Sequence, residues 1–356
     1  MAYNALSTAN LPNPAIDPAQ GSSPQDYFST VLYSGNSSTQ AITGVGFSPN
    51  FVWLKSRGAA KSHRLYDSVR GATNELFSDL TLAEGVASSG LTSFDADGFT
   101  LGSSAAINQT SDTFVSWNWK ANGSGVSNTD GSITSTVSAN TESGFSIVSY
   151  TGNGTLGATI GHGLGVQPSM VMVKARNVVA GWYVEHKGLT GFGTRTIFLN
   201  ETSAESAASS HWNNTAPTSS VFTVGNSGGV NQNTKDYIAY CFAEVEGFSK
   251  FSSYVGNGNA DGPFVYTGFR PAYVVTKRTD ASGNSWRLWD NERGFNGNIG
   301  YLYPNLSNAE ATGEGLLDIL SNGFKVRTTS TDQNASGGTY IYMAFAENPF
   351  KYSNAR

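Results

Sequence analysis

The chain has 356 residues, enough for two or three ordinary domains, with 38% hydrophobic and 13% charged residues. The net charge of −5 and the absence of any Lys/Arg run argue against nucleic-acid binding, and one cysteine, Cys241, rules out an intramolecular disulfide framework. Few charges together with 12% aromatics exclude a disordered polyelectrolyte and indicate many short strands joined by turns rich in Gly, Ser, Thr and Asn.

In chain order, residues 1–26 form a Pro/Gln/Ser-rich arm without the basic and apolar regions of a secretory signal, which is the expectation for a protein assembled in a reducing cytoplasm. No apolar stretch approaches the ~18 residues that span a bilayer. Residues 27–120 then introduce three marks that recur twice more. The first is an aromatic-x-Gly-Asn turn at Tyr33–Asn36, Tyr150–Asn153 and Tyr254–Asn257, where Gly-Asn tolerates positive φ. The second is a proline leading into an apolar strand that ends in lysine: Pro49 to Lys55, Pro168 to Lys174 and Pro271 to Lys277.

The third mark closes each unit: Thr113–Trp119, Asp236–Phe242 and Thr339–Phe345. Side chains alternate along a strand, so one face carries Val115/Ile238/Ile341, Trp117/Tyr240/Met343 and Trp119/Phe242/Phe345, all large and apolar or aromatic. Asn108, Asn231 and Asn334 stand at one offset before these strands, where an Asx-type turn is expected. Three marks in three copies of about 100 residues indicate domains rather than solenoid repeats. The expected fold is all-β: tandem antiparallel β-sandwich or jelly-roll-like modules, each with its own core. Short helical segments are expected at Ser203–Ser209 or Asn308–Leu320. The domain reading is a docking arm at 1–26, β-module 1 at 27–120, a polar connector at 121–144, β-module 2 at 145–247 and β-module 3 at 248–356.

Gly46–Lys55, Asp67–Ala72, Phe94–Gly102, Trp117–Lys120, Phe145–Gly154 and Tyr340–Phe350 together resemble a domain of unknown function repeated in tail-fibre-like and other virion proteins of marine bacteriophages. The resemblance spans nearly the whole chain and brings no catalytic residues. It implies a virion location, with a tail fibre or other surface appendage for host attachment as the first expectation. A capsid-surface decoration protein is the alternative, and a polysaccharide-degrading tail spike the second. Expected partners are other virion proteins met through the arm, further copies in a homotrimer, and a host surface glycan; neither nucleic acid nor membrane is expected.

No chemistry-bearing motif emerges. The four histidines are scattered, so no metal site is expected, and Asp95-Ala96-Asp97-Gly98 reads as a hairpin turn rather than a calcium loop. Cys241 lies mid-strand and reads as packing, and Gly161-His162-Gly163-Leu164-Gly165 precedes a strand, which suits a turn and not a phosphate loop. Asp67, Glu84, Glu185 and Asp290 supply carboxylates of the kind a glycosidase needs in a pair across a cleft, but the sequence does not place them in pairs and the repeats keep no one pair in all copies. Neither catalytic residues nor cofactors are assigned. Sugar binding is the ligand expectation, through Trp182, Trp286 and Trp289 and, above all, Trp212 with Asn213 and Asn214, because Trp212 has no counterpart in the other units. Trp182 and Trp286 also fit equivalent core strands.

Overall fold

The computed structural model describes residues 11–353, and the chain is all-β, with helix confined to single turns. Each unit carries a large antiparallel sheet, of four, eight and five strands, and the three share four strands in one order. In the first unit that order is Phe28–Ser34, Thr113–Trp119, Phe51–Ser56, Arg64–Asp67. In the second it is Phe145–Thr151, Asp236–Phe242, Met170–Ala175, Trp182–His186, and in the third Ser249–Val255, Thr339–Pro349, Phe269–Arg278, Arg287–Asp290. Register repeats as well: Trp53 lies opposite Trp117, Met172 opposite Tyr240 and Val275 opposite Met343. The lysine-ended strand and the closing strand therefore sit side by side at the centre of every sheet.

One face of each large sheet covers a smaller sheet of two or three strands, and the residues between them form a separate core in each unit. The hairpin expected at Asp95–Gly98 belongs to the first of these small sheets, where Asp95 pairs with Gly98.

The other face does something the repeat pattern does not announce. Val115, Trp117 and Trp119, with Ile238, Tyr240, Phe242, Ile341, Met343 and Phe345, all belong to one cluster shared by the three units. The rings of Trp119, Phe242 and Phe345 lie 5.7 to 6.4 Å from one another. Equivalent positions can meet pairwise only around a common approximate threefold axis. The units thus have their own cores, but they also close onto a fourth core that none could bury alone.

Several local expectations need correction. The stretch 121–144 is no free connector: Val126–Asn128 and Ser135–Asn140 form a hairpin whose second strand pairs with Phe145–Thr151 and widens the second sheet. Its Ser/Thr content suits an edge with one wet face, which hid the alternation of Ser135, Val137 and Ala139. Asn308–Leu320 holds no helix and ends in the strand Leu317–Leu320, while Ser203–Ser209 contains the short strand Ser206–Ala207 and only the start of the turn Ser209–Trp212. The recurring helical turns are instead Ala105–Asn108, Gly228–Asn231 and Thr331–Asn334. Pro271 does not open its strand but lies inside Phe269–Arg278 at a register shift, which excuses its missing N–H.

Residues 1–10 of the expected arm lie outside the described residues. Residues 11–26 lie against the body: Ile16 is buried in the shared core, Ala15 N–H donates to Glu246 O, and Asp17 accepts from Tyr352 Oη at 2.6 Å. The composition of this stretch gave its polar surface, but the single buried isoleucine decides its placement.

Candidate functional site

The residues expected to meet a sugar are mostly inside. Trp182, Trp212 and Trp289 have 0% exposure and Trp286 has 2%, so none offers a ring face for stacking. Trp212 anchors the second unit's own core, and only the adjoining Asn213 and Asn214, both with left-handed backbone (φ 52° and 51°), reach toward solvent. Trp182 opens its strand and Trp286 directly precedes the equivalent one, and each does a specific job between units. Trp182 Nε1 donates to Phe77 O at 2.7 Å, and Trp286 Nε1 donates to Phe198 O at 2.9 Å.

The first unit has His63 at this place. Its Nδ1 accepts from Trp53 Nε1 at 2.8 Å, so Nε2 carries the proton and donates to Tyr303 O at 3.0 Å. Burial first, then the charge of Lys55, holds this imidazole well below its ordinary value, which keeps it neutral. The three bonds run from the second unit to the first, from the first to the third, and from the third to the second. The contacts close on themselves as a ring.

A second cycle lies closer to the axis. Tyr240 Oη donates to Asp67 Oδ2 at 2.7 Å and Trp117 Nε1 donates to Asp290 Oδ2 at 2.9 Å. Each aspartate is fully buried and pairs with an arginine three residues on, Arg70 or Arg293, at 2.5 and 2.6 Å. Each guanidinium also donates to a strand carbonyl, Leu65 O or Leu288 O. At the third interface the closing strand offers Met343, which has no proton to donate. There the Asp and Arg positions are His186 and Leu189, and His186 Nε2 donates instead to Tyr342 O at 3.1 Å. Burial pushes His186 down to about 3, so this substitute is uncharged. The charged pair occurs where a donor faces it and is replaced where none does, because an uncompensated buried charge costs several kcal/mol.

A third cycle lies on the periphery. Glu84, Glu310 and Glu205 N–H donate to Arg176 O, Arg57 O and Thr279 O of the neighbouring units. The first two glutamates also take salt bridges from Arg176 and Arg57, at 2.8 and 2.5 Å. At the third interface the arginine's position is held by Thr279, which offers no charge, and the preceding Arg278 pairs with Asp280.

Within each unit the two outer marks meet. Asn108 Oδ1 accepts from Asn36 N–H, Asn231 Oδ1 from Asn153 N–H and Asn334 Oδ1 from Asn257 N–H, while each amide nitrogen donates to at least two backbone carbonyls. All three asparagines have 0% exposure. They are buried clamps on the aromatic-x-Gly-Asn turn, a larger role than the local Asx turn expected. Tyr33, Tyr150 and Tyr254 donate to the carbonyl just before each asparagine. Glycine is needed in these turns for space and not for positive φ: a Cβ on Gly35, Gly152 or Gly256 would lie 2.2 to 2.5 Å from a backbone oxygen. Positive φ falls two residues later, at Ser37, Gly154 and Gly258.

Of the carboxylates weighed as catalytic groups, Asp67 and Glu84 meet, but across Arg70, which pairs with both and fills the space between them. Asp67, Glu84 and Asp290 are bound into the inter-unit contacts, and Glu185 is buried alone in the second unit, where burial pushes its carboxyl well above the ordinary range. Cys241 is free and buried, and burial pushes its thiol up, away from the thiolate. The lysines that end the second mark, Lys55, Lys174 and Lys277, are fully buried and donate to backbone carbonyls. Burial lowers each to about 8. Sequence reasoning placed these lysines at the strand ends but not inside, since an exposed strand end is the ordinary place for one. Among the described residues no helix is long and apolar enough to cross a membrane.

Neither the curated proteins nor the solved structures compared with this chain match it. A family model described as a domain of unknown function does match, over residues 23–349, and so takes in all three units and the shared core as one domain. The chain belongs to this family of domains of unknown function, DUF7483.

Proposed function

We propose that the chain is a non-enzymatic structural component of a bacteriophage virion, a tail fibre or other surface appendage protein that takes part in host attachment. The likeness of Gly46–Lys55, Phe145–Gly154 and Tyr340–Phe350 to virion-protein domains supports the reading. The observation that carries it is physical: three units are locked to one another by a shared aromatic core and by cyclic hydrogen bonds, which suits a rigid particle component. Fixed geometry is what a multivalent attachment organelle needs, because avidity is lost when sites cannot engage together. On this reading other virion proteins, and further copies in a homotrimer, are its partners, and the particle surface is its location.

The approximate threefold arrangement favours one alternative, a decoration protein seated at a threefold point of a capsid lattice. Gold-labelled antibody against the chain, applied to purified particles of the phage that encodes it, decides. Label on the tail or its fibres supports the appendage reading. Label confined to capsid lattice points replaces it with decoration, and unlabelled particles overturn both.

A further inference from the structure

The loop after Asp290 in the third unit starts like that after Asp67 in the first, where Asp67 Oδ1 accepts from the Val69 and Arg70 amides, and then holds out a phenyl ring. After Asp290 the chain forms a loop pinned at both ends. Asp290 Oδ1 accepts from the Glu292 and Arg293 amides at its base. Further along, Asn296 exchanges two hydrogen bonds with Ile319, its Nδ2 donating to Ile319 O and its Oδ1 accepting from Ile319 N–H, both at 2.8 Å. The residue between these anchors, Phe295, is 71% exposed. Its phenyl ring is open to solvent, as are other apolar side chains such as Val86 and Phe264, but this ring stands beside carboxylates in a cleft.

Phe295 forms one wall of a cleft of about 560 Å³ whose other walls include Arg270, Asn291, Glu292 and Glu347. A second hollow of about 260 Å³ shares Asn291, Glu292 and Glu347 and continues the groove along the first unit to Ser29 and Thr30. Arg270 is largely buried in the floor, and its Nε donates to Glu347 Oε2 at 2.6 Å, the same oxygen that accepts from Asn291 Nδ2. Glu347 Oε1 is left for a ligand. Burial, then the charges of Asp290 and Glu347, pushes the Glu292 carboxyl upward, so a hydrogen-bond donor beside it would be favoured.

We propose that this groove binds a neutral saccharide, with a sugar ring stacked on Phe295 and its hydroxyls donating to Glu347 and Glu292. A ring with a flat C–H face and hydroxyl donors at its edge matches an exposed aromatic beside unspent carboxylate oxygens. The inference deepens the attachment reading by naming a ligand class and a site, and it is tested apart from it.

The full chain is mixed with maltotriose, cellotriose or tri-N-acetylchitotriose at millimolar concentration and examined by saturation-transfer NMR. At least one probe is expected to receive saturation on its ring protons, with the affinity falling about tenfold in Phe295→Ala, the loss of one stacking contact. Phe264→Ala removes an exposed phenyl elsewhere and is expected to leave binding intact. Silence from all three probes, or equal binding by Phe295→Ala, overturns the site. Sugar binding by a chain whose antibody finds no particle would keep the site and remove the virion assignment, and labelled particles without sugar binding would do the reverse.

Discussion

Glu185 stands where the first and third units place Tyr66 and Trp289, each opposite an equivalent valine of the lysine-ended strand. In that apolar interior its two oxygens lack ordinary hydrogen-bond partners, and the nearby Gly193 amide offsets the burial only in part. The folded chain therefore favours the protonated Glu185 over a pH range in which the unfolded chain, above about 4.5, ionises it. A raised acid contributes stability that is whole below the unfolded value and is lost as pH rises toward the folded one. The loss is about 1.4 kcal/mol per pH unit in that window. Glu185→Gln removes this dependence, so the variant's melting temperature relative to the parent should climb from pH 4 to pH 8. A difference that stays flat over that range would show that Glu185 is not held neutral. The clamping asparagines are a second residue-scale case. Asn334→Ala strands the Asn257 N–H and carbonyls of Asn259 and Thr328, and should cost about 2–4 kcal/mol by urea unfolding. The common offset of Asn108, Asn231 and Asn334 was visible in the sequence. Their partners were not, since each clamp reaches a turn more than seventy residues away.

Among elements, the closing strand shows what a pattern can and cannot say. Alternation along Thr113–Trp119 and its two counterparts correctly separated a uniformly large face from a variable one. Periodicity gives the direction of a face but never names its partner, so the uniform face was assigned to separate cores when it lines the common one. The same limit explains the tryptophans: Trp182 and Trp286 look alike whether they face water or a neighbouring unit, and only the carbonyls of Phe77 and Phe198 decide. The inter-unit logic makes its own prediction. Asp290→Ala should cost about 2–4 kcal/mol, because Arg293 loses its close buried partner and keeps only Glu310, at 3.6 Å. The combined change Trp117→Met, Asp290→His and Arg293→Leu copies the third interface and should cost less than the three single changes added together. Additive losses in that comparison would mean that the Met343–His186–Leu189 set is coincidental rather than a coupled replacement.

For the whole molecule, the consequence of the fourth core is cooperativity. Beads on a string would unfold one at a time, each with its own transition. Here Trp53, Trp117, Trp182, Tyr240, Trp286 and Phe345 come from all three units and lie in one cluster, and even Ile16 of the N-terminal segment joins it. Removing any one unit exposes the apolar faces of the other two. The segment 121–144 adds to this unity, since its hairpin is built into the second sheet. Differential scanning calorimetry of the full chain tests the claim directly. One transition is expected, with the calorimetric enthalpy matching the van't Hoff enthalpy, and residues 145–247 expressed alone should give no cooperative melt. Separate transitions for the units, or a cooperative melt from that excised segment, would contradict the shared core.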